Sequence, residues 1–188
     1  MSKLKQVLPK GLKAKDVVFA CVGTDRSTGD ALGPLVGTRL KQLGYDVRGT
    51  LEKPMHATNI DSVMETVADD KVVIGVDACL GSSSRVGMVK AEKGPLRPGA
   101  GVGKDLTHVG DYNIVGIVNV GGFMEYYVLQ NTRLFNVLKL VDEIVDQIQK
   151  ALPLHDWYTL HVTDRVVDSN TKIKRRKKVK YQWKKYTR

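Results

Sequence analysis

Three short apolar runs constrain the fold of this chain most strongly. They lie at Asp16–Gly23, Val72–Asp77 and Asn113–Val120, and each has an uninterrupted apolar centre. Such runs, bounded by glycine or polar residues, are typical of strands buried on both faces of a sheet. Two weaker runs, Val47–Leu51 and Val86–Ala91, predict further strands, the second of them at a sheet edge.

Helical segments alternate with these strands. Asp30–Gly44 places its apolar residues on one helical face, and the glycine is a plausible stop. A second helix is predicted after Asn59, which can cap it, and a third over 123–152 with a break near 131–132. This alternation predicts an α/β fold with a mainly parallel sheet covered by helices on both faces, a three-layer α/β/α sandwich. Right-handed crossovers predict that the first and third strands are neighbours, with the second strand flanking the first.

Composition narrows the class of protein. Hydrophobic residues make up 42 % of the 188 residues, enough for a core. Cys21 and Cys79 do not indicate a disulfide framework, which favours a reducing compartment. We expect a cytoplasmic protein with no signal peptide and no membrane span, because no stretch approaches the roughly 18 apolar residues that a span needs.

The domain organisation follows from the charge distribution. We predict a flexible arm over 1–15, one α/β domain over 16–155 and an extension over 156–188. Residues 172–188 contain ten Lys and Arg and no acid, which equals the whole formal net charge of +10. Aromatic residues stand among these cations, a pattern that suits nucleic-acid binding, whereas the alternative is a disordered solubilising tail.

Two aspartates are the main candidates for chemistry. In parallel α/β sheets the functional crevice lies beyond the carboxyl ends of the strands, and Asp30 and Asp77 are expected there. Two close carboxylates cannot easily both ionise, so the pKa of one of them rises. The pair can then work as a general acid and a general base. The alternative is that Asp30 caps its helix and Asp77 caps a turn.

Several neighbouring residues are candidates for substrate binding, and each has a structural alternative. Thr24, Asp25 and Thr28 lie in the loop before Asp30, where solvated turn residues or caps are also expected. Gly101 and Gly103 can let a substrate strand lie against their loop, or simply permit the turn. Ser27 has the same two interpretations as Thr28, and Cys79 is expected to point the same way as Asp77.

Three segments, in chain order, resemble the YyaC family of sporulation proteins from spore-forming Firmicutes: Val22–Pro34, Val76–Gly81 and Pro98–Gly103. That family is similar to the germination protease that degrades small acid-soluble spore proteins. The protease has its own Asp-Ala-Leu-Gly-Pro, Val-Asp-Ala-Leu and Pro-Gly-Ser-Gly-Val-Gly segments. The resemblance covers roughly residues 16–150 and extends more distantly to the hydrogenase maturation endopeptidases. It implies a phosphorylase/hydrolase-like fold.

The resemblance also carries expectations about activity. The two catalytic aspartates of the germination protease match Asp30 and Asp77, which implies a sporulation-associated, peptidase-like hydrolase of aspartic type acting without a cofactor. The substrate would be a protein or peptide, such as the small acid-soluble spore proteins, in the cytoplasm or forespore. In the hydrogenase maturation enzymes the same positions bind a metal with a histidine, so a metal site of Asp30, Asp77 and His108 is an alternative. The other alternative is a non-catalytic module of the same fold, which binds a peptide or partner and carries a polyanion-binding tail.

Overall fold

The apolar runs form the centre of a five-stranded sheet. The computed structural model describes residues 3–98 and 107–154 of the chain. The strands are β1 Val17–Cys21, β2 Val47–Arg48, β3 Val72–Gly81, β4 Val89–Lys93 and β5 Tyr112–Val120. Their order is β2-β1-β3-β5-β4, parallel throughout except for β4, which runs antiparallel to β5. The predicted placement of β1 between β2 and β3 is therefore confirmed.

The helices are α1 Lys3–Val7, α2 Leu32–Leu43, α3 Ile60–Met64, α4 Glu125–Gln130 and α5 Leu134–Ala151. Gly44 ends α2 in the left-handed region, with φ of 99°. That conformation is easy for glycine and uncommon for other residues, so the predicted stop is confirmed. The predicted break between the last two helices also appears, at residues 131–133.

The two faces of the sheet are covered differently. Alternate residues of β1, such as Phe19, pack with the long helices α2 and α5 and with Leu4 of α1 in the larger core cluster. Ala20 points the other way and packs in a smaller cluster with Met55 and Ile60, the first residue of α3. We call the first side the helix-covered face and the second the loop-covered face. The mainly parallel α/β sheet with flanking helices agrees with the predicted fold class.

Three local predictions differ from the structure. Residues 3–7, assigned to a flexible arm, form α1, and Leu4 is fully buried in the larger core. β3 does not end at Asp77 but continues to Gly81, because its last residues pair with β5. Asn59 precedes α3 without capping it, since its side chain accepts from the His56 N–H and donates to the Pro54 carbonyl instead.

The described residues all belong to one compact unit, Met1–Leu154. The predicted extension over 156–188 and its basic tail lie outside the described residues. Within the part that is described, no helix is long and apolar enough to cross a membrane.

Candidate functional site

The loop that follows β1 holds Asp30 at the carboxyl edge of the sheet. Backbone hydrogen bonds anchor this loop at both ends: Gly23 N–H donates to the Met55 carbonyl (2.8 Å) and Gly29 N–H to the Leu129 carbonyl (2.9 Å). The Asp30 carboxylate accepts the Thr24 N–H at 3.1 Å and does not cap α2. The interpretation of Asp30 as a helix cap is therefore wrong, and its carboxylate is held by its own loop.

Close packing of α2 on β1 fixes where Asp30 stands. A Cβ added to Gly33, in the first turn of α2, would lie 1.9 Å from the Val22 carbonyl oxygen. Real Cβ atoms do not approach a backbone oxygen so closely, so only glycine allows the helix to begin this near the strand. The sequence Gly29–Pro34 thus positions the aspartate through backbone contact.

Asp77 lies inside β3, one strand away from β1. Asp77 is only 8 % exposed, and its carboxylate accepts a hydrogen bond from the Ala78 N–H at 2.7 Å. Alternation along β3 places it on the same side as Val73, the loop-covered face. It is therefore a strand residue and not the cap of a turn.

The Asp30 carboxylate is close enough to Asp77 to act on it electrostatically. Burial raises the pKa of Asp77 well above its usual range, and the nearby negative charge of Asp30 raises it further against the opposing Ala78 hydrogen bond. Burial also raises the pKa of Asp30, but the Thr24 N–H and the positive influence of His56 oppose the rise. The environments thus favour the protonated form at Asp77 more strongly than at Asp30, which suits the two carboxylates to different roles.

The other predicted binding residues are placed unevenly. Thr24 is half-buried and its hydroxyl accepts the Arg26 N–H, Thr28 is half-buried, and Asp25 is exposed. The Ser27 hydroxyl is buried with no hydrogen-bond partner among the described residues. Gly101 and Gly103 lie outside the described residues, so their predicted role stays a prediction.

The predicted metal alternative fits the geometry poorly. Asp30, Asp77 and His108 are all described, yet no group of three His, Cys, Asp or Glu within residues 3–98 and 107–154 is arranged to hold an ion. His108 is exposed just before Val109. The structure therefore does not support that ligand set, and we derive no chemistry from a metal.

His56 is the residue near the site that sequence reasoning passed over. It follows Met55, whose parallel bridge to Val22 brings the loop after β2 against the loop after β1. Its Nδ1 lies 3.0 Å from the Thr58 hydroxyl oxygen. Only the register of the two loops brings His56 near Asp30, and the one signal in the sequence was its position after a predicted strand.

The two cysteines are free thiols close to Asp77. Cys79 lies two residues along the same strand, and burial together with the Asp77 charge raises its pKa to about 11. Cys21 is fully buried, and the same two causes raise its pKa further. Both therefore stay protonated at neutral pH, which makes neither a good nucleophile.

An apolar surface borders the same edge of the sheet. Among the residues that the structure describes, most of the large apolar side chains that are exposed lie in one stretch of the chain. We call them the aromatic surface: Val120, Phe123, Met124, Tyr126, Tyr127, Leu134, Phe135 and Leu138. A pocket of about 560 Å³ lies among the first of these residues, beside the end of β5. The Gly29–Leu129 hydrogen bond connects α4, which carries two of the tyrosines, to the loop that holds Asp30.

Comparison with solved structures defines the class of fold. The chain resembles the [NiFe] hydrogenase maturation protease HybD from Thermococcus kodakarensis, with a TM-score of 0.50 and 14 % identity over 71 % of this chain and 97 % of that one. The maturation protease HycI from Thermococcus kodakarensis KOD1 has a TM-score of 0.48 and 18 % identity over 79 % and 97 %. The likeness to HybD shows that the fold is that of the hydrogenase maturation proteases, as expected from the sequence.

Sequence comparison defines the family. Residues 1–147 match the family described as a protein of unknown function, DUF1256, and the chain belongs to that family. It is also 48 % identical over 153 residues to the uncharacterized protein YyaC of Bacillus subtilis (strain 168), covering 77 % of this chain and 75 % of the relative. The predicted resemblance to the YyaC family is therefore confirmed.

Proposed function

We propose that the protein is a peptidase-like hydrolase in which Asp30 and Asp77 act as base and acid. The observation that carries the proposal is the placement of the two carboxylates at one edge of the sheet, one in the loop after β1 and one on the adjacent parallel strand β3, where Asp77 is buried and the charge of Asp30 raises its pKa. Functional sites are where such paired, buried titratable groups cluster.

The difference between the two environments suggests a division of labour. Asp30, with the Thr24 N–H and His56 favouring its ionised form, takes a proton from the attacking water. The water oxygen bonds to the carbonyl carbon, and Asp77 gives its proton to the leaving nitrogen as the C–N bond breaks. The pair then holds one proton again, on Asp30, and exchange with solvent resets it.

A polypeptide suits the surroundings of the pair as substrate. The aromatic surface and its pocket lie beside the site, and exposed apolar patches of this kind are typical of surfaces that bind protein. The similarity of the fold to that of proteases also supports a polypeptide as substrate. We propose a sporulation-associated role in the cytoplasm or forespore, with small acid-soluble spore proteins as the first substrates to test.

The test compares the wild-type protein with Asp30→Asn and Asp77→Asn on purified small acid-soluble spore proteins. General acid–base groups contribute roughly 10²–10⁴-fold, so each variant is expected to lose at least about 100-fold in rate. Asp69→Asn, an exposed carboxylate outside the site, is the matched control and keeps full activity. Equal cleavage by all four proteins, or the same loss in the control, would remove the aspartate mechanism.

A second candidate is a binding module of the same fold without catalysis. The ten Lys and Arg of residues 172–188 favour it, because such a cluster attracts polyanions. This candidate predicts DNA binding that weakens steeply with salt and disappears when residues 172–188 are removed. Salt-independent binding, or binding that survives the truncation, would speak against it.

A further inference from the structure

A pocket of about 430 Å³ lies beside β2, on the flank of the aspartate site. We call it the β2 pocket. The charged and polar groups that line it include Lys41, Arg48, Lys53, His56 and Asn59, and none of the described lining residues carries a carboxylate. A concave site with cations on several sides and no acid favours an anionic ligand.

Two of these cations have no partner of their own. Lys41 and Lys53 are exposed, and neither ammonium group makes an ion pair or hydrogen bond within residues 3–98 and 107–154. They come from different elements, the last turn of α2 and the turn after β2, and reach the same pocket. Their charge is therefore available to a ligand.

Arg48 is held more rigidly. Its Nε donates to the Thr66 hydroxyl at 3.0 Å, and one terminal nitrogen donates to Asp46 at 2.6 Å. Its side chain is only 27 % exposed. The guanidinium thus forms a fixed wall of the pocket, while Asp46 balances part of its charge.

His56 joins the pocket to the aspartates. Its backbone N–H donates to the Asn59 side chain at 2.8 Å, which fixes the loop, and the side chain lines the pocket. The same histidine acts electrostatically on Asp30. A group bound in the pocket would therefore lie next to whatever is held at the aspartate pair.

β2 adds a feature that suits a polypeptide. It is the outermost strand of the sheet, and Val47 lines the pocket. Phe19 N–H donates to the Asp46 carbonyl, so the alternate residue Val47 turns its main-chain groups outward. The Val47 carbonyl accepts from the Arg48 guanidinium at 3.2 Å, so its N–H is the group left for a peptide. An extended peptide can use such an edge, while side-chain pockets beside the edge provide selectivity.

We propose that the β2 pocket binds the carboxylate of an acidic residue in an extended polypeptide and so selects acidic sequences next to the aspartate site. The role of the pocket in selecting substrates rests on the proposed hydrolase function. The binding itself does not require cleavage, so a binding test and a cleavage test can fail separately.

The experiment uses the full-length protein and an acetylated, glutamate-rich peptide, with the same peptide carrying glutamine at each glutamate as its partner. Because residues 172–188 also attract acidic peptides, total binding is not the readout. Amide resonances of Gly49 and Asn59, followed by NMR titration, report the pocket alone. Inorganic phosphate is titrated in a separate arm to detect a site for a free anion.

The expected result is that the glutamate peptide shifts these resonances and the glutamine peptide does not. In K41Q/K53Q the local affinity falls about tenfold or more at low salt, because two charge-assisted contacts are lost. The matched control, K10Q/K93Q, removes the same charge from exposed lysines outside the pocket and changes the local affinity less than about twofold.

Three results would overturn the proposal: no shift at Gly49 and Asn59 with the glutamate peptide, equal losses in the two double variants, or tighter local binding of inorganic phosphate than of the peptide. If the peptide binds as expected while no protein substrate is cleaved, the proposal for the β2 pocket stands and the hydrolase proposal falls. If cleavage is lost in Asp30→Asn but does not depend on glutamates in the substrate, the hydrolase proposal stands and the selection of acidic sequences by the β2 pocket is removed.

Discussion

The helix-covered face and the loop-covered face of the sheet show how this fold separates stability from chemistry. On the first, α2 and α5 bury a continuous apolar cluster that also includes α1. On the second, a smaller cluster lies under the five residues of α3 and the surrounding loops. Asp77 lies on this second face, where the thinner cover leaves room for polar groups. The larger part of the core thus lies on one side of the sheet, and Asp77 lies on the other.

The largest expected effect tests the helix-covered face. Leu140 in α5 is 1 % exposed, and Leu140→Ala is expected to lower the free energy of unfolding by about 2–5 kcal/mol, since it leaves a cavity. Leu138→Ala, in the same helix but 42 % exposed, is the matched control and should cost less than about 1 kcal/mol. Urea denaturation measures both, and equal losses would mean that α5 does not carry the core.

The contact between α2 and β1 gives the next prediction. In an ordinary helix, Gly→Ala stabilises by up to about 1 kcal/mol. For Gly33→Ala we expect the opposite sign and a loss of about 1–3 kcal/mol, because the new Cβ meets the Val22 carbonyl. Thermal unfolding reports the sign, and a stabilised variant would show that the helix can move away from the strand.

The pH dependence tests the loop-covered face. Because the folded-state pKa of Asp77 lies above its unfolded value, the native state binds more protons between the two values, and stability falls as pH rises through that window. Asp77→Asn removes this cost, so the variant should unfold at a higher temperature than wild type at pH 7 while losing activity. The advantage should shrink as pH falls towards about 4. A variant that is less stable at pH 7 would contradict the assignment.

The smallest effect is expected on the aromatic surface. Phe123 is 80 % exposed, so Phe123→Ser should change the free energy of unfolding by less than about 0.5 kcal/mol. Any loss of protein-substrate cleavage in this variant would then reflect binding and not folding. A clear loss of stability would instead show that the side chain packs within the fold.

The strand order could be predicted from the sequence because it depends on local signals. The apolar runs of β1 and β3 identify buried strands, and the handedness of crossovers places β2 outside β1. The last four residues of β3 could not be assigned in this way. Cys79 and Gly81 join the strand through pairing with β5, which lies far along the chain. Helix α1 was missed because it is short, and only the burial of Leu4 by α5 and β4 makes it part of the core.

The candidate site depends on the sequence in a similar way. Asp30 and Asp77 were proposed because they follow or end predicted strands and the motifs around them resemble a known family, although β3 continues past Asp77 to Gly81. His56 was missed because it comes near Asp30 through the register of two loops, which no local pattern encodes. The β2 pocket likewise combines lysines from separate elements, so it exists only in the folded chain.

One hydrogen bond, from Gly29 N–H to the Leu129 carbonyl, has a mechanical consequence. It ties the residue before Asp30 to the last turn of α4. Leu129 and Thr132 also lie so close to Gly29 that an added Cβ would come within about 3 Å of both. A substitution that displaces the end of α4 is therefore expected to displace the loop that carries Asp30 as well.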